Sequence, residues 1–153
     1  MDTNICQVSI ATKLDIDTLA QFQINMAMES EGYALNPTTI HAGITAAMDD
    51  VNKGLYLVAR MADSTVGSLM LTREWSDWNN CWYWWVQSVY VLPQYRGKGI
   101  YRAMYARVKE MAQESNVTQV RLYVDKGNVT AQKVYQQLGM SECHYYMYEE
   151  VVK

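Results

Sequence analysis

The fold is decided by the stretch VYVLPQYRGKGIY, which spans residues 89–101. Its first residues are β-branched and aromatic, which predicts a strand, and Pro93 closes that strand. Two glycines follow, and apolar residues then recur at three- and four-residue spacing, which predicts a helix (Ile100, Met104, Val108, Met111). Glycine permits positive φ, and the first turn of a helix presents unpaired N–H groups. The stretch therefore predicts a loop that can hold a phosphate or pyrophosphate.

Charge is distributed unevenly around this loop. Residues 94–126 hold seven Lys/Arg against three Asp/Glu, whereas residues 1–93 hold four against ten, within a net charge of −3. Arg96, Lys98 and Arg102 surround the glycines, so an anionic ligand is expected there. The glycine spacing matches neither the P-loop nor the Rossmann pattern. The basic segment does not carry interleaved aromatics on a recognised RNA- or DNA-binding module, and the whole chain is acidic, with a pI near 5.3, which argues against a nucleic-acid partner.

Outward from the loop, the sequence patterns predict a mixed α/β fold in one domain over residues 1–153. The predicted strands cover residues 8–11, 55–61, 65–73, 82–92, 117–124 and 143–148. The predicted helices begin at Asp15 or Asp17, at Asn36-Pro37, after Gly97 and at Asn128. Gly54 is expected to end the second helix and Gly139 the last. This order gives a mixed sheet with helices on its faces.

Composition predicts the compartment. The three cysteines are odd in number, widely spaced and without a CxxC pair, so neither a disulfide framework nor a metal site is expected (Cys6, Cys81, Cys143). The residues Met1 to Asn4 show no basic or apolar region of a signal peptide. The longest apolar run, Cys81 to Val86, is far shorter than the roughly 20 residues of a membrane span. A reducing, cytoplasmic location without a membrane partner is therefore expected.

A second motif lies further along the chain and has the form Asn128-x-x-Ala131-x-x-x-Tyr135-x-x-x-Gly139-Met140. Together with residues 89–101 it resembles the GNAT superfamily of N-acetyltransferases. The family's R/Q-x-x-G-x-G/A signature falls on residues 96–101, with Tyr101 where a small residue is usual. That corner of a pyrophosphate site is therefore expected to be reshaped. The resemblance is strong over residues 55–148 and only topological before them.

The resemblance implies a GNAT fold with a V-shaped cleft for acetyl-CoA, where the strand ending at Val91 splays from its parallel neighbour. Main-chain groups of Val89 and Val91 would pair with the pantetheine arm, and the amides of residues 97–101 would hold the pyrophosphate. Asn128 would contact the cofactor arm, and Tyr135 would lie beside the thioester sulfur. The cofactor-binding set implied is Val89, Tyr90, Val91, Arg96, Gly97, Lys98, Gly99, Ile100, Tyr101, Asn128 and Tyr135.

Acetyl transfer to an amine needs a neutral amine, a polarised thioester carbonyl and a proton for the leaving thiolate. Tyr135 is the expected general acid, because a phenol with a pKa of about 10 is protonated at neutral pH. Its spacing with Ala131 and Leu138 also fits a core tyrosine on an amphipathic helix. The motif around Tyr135 favours the acid.

The general base is left open by the sequence. Many relatives place a Glu on the strand before the loop, whereas this chain has no Asp or Glu between Asp77 and Glu110. The candidates are carboxylates from neighbouring elements that would act through ordered water: Glu29, Glu31, Glu74 and Asp77. Each of the four also fits a solvated surface carboxylate.

All five tryptophans lie between residues 75 and 85. In a strand, Trp82 and Trp84 point to one face and Tyr83 and Trp85 to the other. Core packing accounts for some of these rings, and the rest would form an aromatic wall that attracts a cationic acceptor. The expected substrate-binding residues are Trp84, Trp85 and Gln87.

The leading hypothesis is an acetyl-CoA-dependent N-acetyltransferase that acts by direct transfer in a ternary complex. Its acceptor would be a primary amine of a small molecule or a peptide, and no metal is required. The alternative is a non-catalytic acyl-CoA-binding or sensing module on the same fold, which the missing strand carboxylate keeps open. Whether the protein forms a homodimer is also left open.

Overall fold

The computed structural model describes residues 5–153, so Met1 to Asn4, on which the argument against a signal peptide rests, lie outside the described residues. The strands are β1 (Cys6–Ile10), β2 (Leu55–Met61), β3 (Ser64–Ser76), β4 (Cys81–Val91) and β5 (Val117–Arg121). The α-helices are α1 (Ile16–Glu31), α2 (Pro37–Asp49), α3 (Ile100–Glu114) and α4 (Val129–Gln137). The chain divides into two compact units, one ending at Leu122 and one running from Tyr123 to Lys153. A single domain over residues 1–153 therefore stays a prediction.

The five strands form one mixed sheet in the order β1-β2-β3-β4-β5. The first three pairings are antiparallel, and β5 runs parallel to β4. Met61 pairs with Ser64, which leaves Ala62 and Asp63 in the tight turn of a hairpin. Ala62 adopts a φ of +54° there. The predicted hairpin and mixed sheet are both confirmed.

Apolar side chains pack on both faces of this sheet. On one face, Leu69 and Trp84 are buried together with Met104 and Val108 of α3. On the other face, Leu19 of α1 and Ile44 of α2 are buried together with Tyr56 and Val58 of β2. All four residues of the apolar repeat predicted after the glycine loop are buried. The sheet is therefore covered by helices on both faces.

The helix starts follow the capping chemistry only in part. Asn36 Oδ1 accepts a hydrogen bond from Thr39 N at 3.0 Å, and Pro37 is the first residue of α2, as predicted. This helix ends at Asp49, before the expected Gly54. Asp15 precedes α1 but makes no side-chain cap, because its carboxylate accepts from Thr12 N at 2.9 Å and from the Arg60 guanidinium at 2.6 Å.

The second unit departs most from the sequence prediction. Residues 143–148 form no strand, so that prediction is wrong, and β5 ends at Arg121 rather than at Val124. Within the unit, α4 begins after Asn128, whose Oδ1 accepts from Ala131 N at 3.1 Å. No residue from Tyr123 to Lys153 is buried. A β-type sequence becomes a strand only where a neighbouring strand takes its hydrogen bonds.

Candidate active site

The strand β5 runs beside only the first part of β4. The parallel ladder pairs Trp82 to Trp85 with residues of β5, the last pair being Trp85 with Arg121. β4 continues to Val91, whereas β5 ends at Arg121. Within residues 5–153, the second half of β4 therefore has β3 as its one strand neighbour. This is the predicted fork, and it leaves backbone groups of β4 on a free edge.

A β-bulge interrupts β4 where that free edge begins. Ser68 pairs with Tyr90 and Met70 pairs with Gln87, so one residue of β3 opposes two residues of β4. Ser88, inside the bulge, adopts a φ of +54°. Because Ser88 is not glycine, nothing in the local sequence predicts this conformation.

Helix α1 holds the bulge in place by two contacts. Gln23 is buried, and its Nε2 donates to the Ser88 carbonyl at 3.4 Å. The bulge also shifts the alternation of β4, so that Tyr90 packs against Phe22 with ring centroids 5.1 Å apart. Sequence reasoning missed Gln23 and Ser88 as residues that shape the fork.

The glycine loop joins β4 to α3. Gly97 has a φ of +73° and Gly99 a φ of +82°, both in the left-handed region. Gly99 is the N-cap residue of α3 and brings no side chain to bond the first-turn amides. A Cβ built on either glycine would meet no atom within 4 Å. Open space above unpaired amides at a helix N-terminus fits the pyrophosphate of coenzyme A.

An ion pair ties this loop to α1. Arg96 Nε donates to the Val91 carbonyl at 2.8 Å, and its Nη2 donates to Glu29 Oε2 at 2.8 Å. The other oxygen of Glu29 accepts from Tyr90 Oη at 3.0 Å. The Arg96 guanidinium lowers the pKa of Glu29, with the Tyr90 hydroxyl assisting. Glu29 is thus a poor proton acceptor and a good anchor for the loop.

The start of α3 rests directly on the sheet. A Cβ on Gly67 of β3 would lie 3.1 Å from the Tyr90 carbonyl oxygen and 3.2 Å from Ile100 Cγ2, so only glycine fits without movement. The Tyr101 ring stacks on Tyr105 with centroids 6.1 Å apart and packs against the core on this face. The bulky residue at the end of the signature is therefore accommodated by packing along α3. Gly67 was not identified from the sequence.

A polar cluster lies at the closed end of the fork, and we call Glu74, Tyr83, Trp85 and Arg121 the fork cluster. Trp85 Nε1 donates to Glu74 Oε1 at 2.9 Å, and Arg121 Nη1 donates to Glu74 Oε2 at 3.0 Å. The Arg121 guanidinium also lies 4.6 Å from the centroid of the Tyr83 ring. All four side chains are partly exposed. The predicted Trp85 and Glu74 thus come together, whereas Arg121 was not foreseen as a site residue.

The other predicted residues of this unit are dispersed. Gln87 is half-buried, and its Nε2 donates to Thr72 Oγ1 at 3.0 Å. Trp84 is 7% exposed and packs in the core against α3, which corrects its expected place on the substrate wall. Glu31 is exposed at the end of α1. Asp77 is exposed in the turn before β4, at the end of that strand away from the loop.

The two remaining predicted residues lie in the second unit. Asn128 uses its side-chain oxygen to cap α4, which leaves its amide nitrogen available to a ligand. Tyr135 lies on α4 and is half-buried, and burial raises the pKa of its hydroxyl. The phenol is therefore protonated at neutral pH. The roles of Asn128 and Tyr135 toward acetyl-CoA stay predictions.

Within residues 5–153, no group of three or more His, Cys, Asp or Glu side chains is placed to hold a metal ion. None of the helices described is both long enough and apolar enough to cross a bilayer.

A mixed sheet that forks between parallel strands, with a glycine loop at the start of the next helix, is the arrangement of GNAT acetyltransferases. The model of the acetyltransferase (GNAT) family matches residues 22–140, and the chain belongs to this family. It is similar to the structure of a possible acetyltransferase from Clostridium difficile 630, with 39% identity, a TM-score of 0.91, and coverage of 97% of this chain and 99% of that one.

More distant structures share the fold alone. A ribosomal-protein-alanine N-acetyltransferase from Brucella melitensis biovar Abortus 2308 is 17% identical with a TM-score of 0.79, over 97% of this chain and all of that one. A predicted acetyltransferase from Clostridium acetobutylicum, solved with acetyl-CoA, is 16% identical with a TM-score of 0.78, over 95% of this chain and 96% of that one. No curated protein sequence matches the chain significantly.

Proposed function

We propose that the protein transfers an acetyl group from acetyl-CoA to a primary amine of a small molecule or peptide, directly within a ternary complex. The observation that carries this proposal is the glycine loop, with its open space, next to the free edge of β4. A diphosphate needs the unpaired amides of such a loop, and an extended arm with amide groups needs an unpaired strand edge. Coenzyme A carries both groups in one molecule.

The donor would be held by backbone rather than by charged side chains. The amides from Gly97 to Tyr101 would bind the pyrophosphate, and main-chain groups of Val89 and Val91 would pair with the arm. Arg96 is already engaged by Glu29, so it shapes the loop more than it contacts the ligand. When bound, acetyl-CoA supplies a thioester-activated acetyl group.

Tyr135 would supply the proton that the departing sulfur takes up. Burial raises the pKa of this phenol, so it carries its proton throughout the physiological range. A phenol that donates only as negative charge develops on the sulfur acts as a general acid. The assignment rests on the motif that ends in Gly139-Met140 and on this protonation state.

Glu74 is the base candidate that the structure favours among the four carboxylates. It lies in the fork cluster, at the closed end of the fork, whereas Glu31 and Asp77 are exposed away from it. Glu29, which like Glu74 is held by an arginine and an aromatic donor, lies instead at the glycine loop with Arg96 and Tyr90. Glu74 would take the proton of the acceptor ammonium through water, and the aromatic faces of Tyr83 and Trp85 favour a cationic acceptor nearby.

The test is a panel of amines and peptide N-termini incubated with acetyl-CoA, read by thiol release and by the mass of the product. We expect stoichiometric thiol release and acetylated amine with at least one acceptor class. Tight acetyl-CoA binding without thiol release across the panel would overturn the enzyme proposal. That result would favour an acyl-CoA-binding or sensing module, which a β4 without a carboxylate also permits.

A further inference from the structure

The last turn of α1 is held only weakly by the helix itself. The helix ends at Glu31, and Gly32 follows it with a φ of +62°. Glu29 and Glu31 place carboxylates at the negative end of the helix dipole, and the turn carries no basic residue of its own. Residues 28–34 are all exposed, so buried packing does not compensate for this charge. The turn therefore depends on a cation from another element.

Arg96 of the glycine loop supplies that cation. Its Nη2 donates to Glu29 Oε2 at 2.8 Å, and its guanidinium lies 5.4 Å from the centroid of the Tyr90 ring. Tyr90 is 3% exposed, and its hydroxyl donates to Glu29 Oε1 at 3.0 Å. The Arg96 Nε donates to the Val91 carbonyl at 2.8 Å. One side chain thus joins the end of β4, the loop and the end of α1, and we call Glu29, Tyr90 and Arg96 the α1 latch.

The glycine loop depends on the α1 latch in the same way. Gly97 and Gly99 both have positive φ, and a Cβ on either would meet no atom within 4 Å, so side-chain packing does not order these two positions. Glycine loses more conformational freedom on ordering than other residues. A loop that binds an anion through backbone amides binds more tightly when that cost is met before the ligand arrives. Arg96, which directly precedes Gly97, meets part of it by fixing the start of the loop.

We propose that Glu29 is a positioning residue for the acetyl donor, which couples the last turn of α1 to the glycine loop through Arg96. Donor affinity then depends on the order of α1, and donor binding in turn stabilises the last turn of α1. The two effects are equal in size, because coupling between two sites is reciprocal. This inference rests on the proposed function, since acetyl-CoA is the anion that the loop is proposed to bind.

The first experiment is a calorimetric titration of Glu29→Gln with acetyl-CoA. Charge alone would make this variant bind more tightly, because a negative charge is removed beside an anion site. The α1 latch predicts the opposite sign. The side chains of Arg96 and Glu29 are 49% and 43% exposed, so we expect Kd to rise on the order of two- to fivefold, the factor that an exposed ion pair supplies. Binding that is unchanged or tighter would overturn the proposal.

Two control variants separate the α1 latch from charge and from stability. Glu31→Gln removes the same charge from the same turn, but Arg96 bonds Glu29 and not Glu31, so its Kd should not rise. Asp49→Asn breaks another exposed ion pair, in which Lys13 Nζ lies 2.9 Å from Asp49 Oδ1, and it should lower stability without changing Kd. A rise in Kd for either control that equals the rise for Glu29→Gln would refute a specific role of Glu29.

A double-mutant cycle tests whether Glu29 acts through Arg96. Arg96→Gln should also weaken acetyl-CoA binding. Adding Glu29→Gln to Arg96→Gln should then cause no further loss, because the two residues act as one contact. If the two losses in binding free energy simply add, Glu29 does not act through Arg96.

The second experiment measures hydrogen exchange at the end of α1. The Gly32 amide donates to the Met28 carbonyl at 3.0 Å, and the Tyr33 amide donates to the Ala27 carbonyl at 3.2 Å. Without ligand, Arg96→Gln should speed exchange at both amides on the order of two- to fivefold. Acetyl-CoA should slow their exchange in the wild type but not in Arg96→Gln. Exchange that Arg96→Gln leaves unchanged would overturn the proposal.

The two experiments distinguish this proposal from the proposed function. If the wild-type protein does not bind acetyl-CoA, the proposed function fails. The exchange rates without ligand then decide by themselves whether Arg96 holds the end of α1. If acetyl-CoA binds and its affinity ignores Glu29, the proposed function stands and the positioning role is refuted.

Discussion

At the scale of single residues, Tyr135 carries the most specific chemical assignment. Its pKa is raised by burial, so the hydroxyl can donate a proton at neutral pH. Tyr135→Phe keeps the ring and removes this proton. We expect turnover to fall on the order of 10²–10⁴-fold with acetyl-CoA affinity nearly unchanged. Steady-state thiol release and calorimetric titration measure the two quantities, and near wild-type turnover in a folded variant would refute the acid.

The Glu29–Arg96 ion pair predicts how the free energy of unfolding depends on pH. Because the pKa of Glu29 is lowered on folding, its stabilisation is present above the ordinary Glu pKa of 4.5 and is lost as pH falls through the lowered value. Glu29→Gln should therefore cost about 0.2–1 kcal/mol at neutral pH, as is usual for exposed pairs. In strong acid, below the lowered pKa, urea unfolding should show no difference from the wild type. An equal difference at both pH values would contradict the ion pair.

The proposed role of Glu74 as the general base is tested by how the turnover of a Glu74 variant depends on pH. Glu74→Gln keeps an acceptor for Trp85 and Arg121 but cannot take a proton, so turnover at neutral pH should fall at least about tenfold. At high pH the acceptor amine is already neutral, and part of the loss should be recovered. Asp77→Asn, in the exposed turn, is the control and should be nearly silent. If Glu74→Gln is equally silent, acceptor amines arrive deprotonated or another group is the base.

At the scale of elements, a substitution in the glycine loop tests its role in binding the pyrophosphate separately from its role in starting α3. Gly99→Val forces a β-branched residue to a φ of +82° and places it over the anion site. The thermal stabilisation by acetyl-CoA should disappear, and in the wild type NAD and ATP should stabilise much less than acetyl-CoA. Gly32→Val is a matched control, because Gly32 has a φ of +62° in open space at the end of α1. It should lower stability and keep the acetyl-CoA shift.

The elements that the sequence predicts well are those whose signals are local. β2 runs from Leu55 to Met61 as expected, and α2 begins at Pro37, because hairpin and cap chemistry lie within a few residues. The bulge at Ser88 depends on Gln23, which lies far away in sequence, so no local pattern reveals it. Residues 143–148 have the composition of a strand, but composition cannot state which edge will take their hydrogen bonds.

At the scale of the whole molecule, the charge split found in the sequence has a structural explanation. Glu29 and Glu74 belong to the acidic first 93 residues, and they pair with Arg96 and Arg121 of the basic segment. The two regions thus neutralise each other at the loop and at the fork. The net positive charge of residues 94–126 therefore overstates the charge left for a ligand, and selectivity for acetyl-CoA should depend mainly on backbone amides.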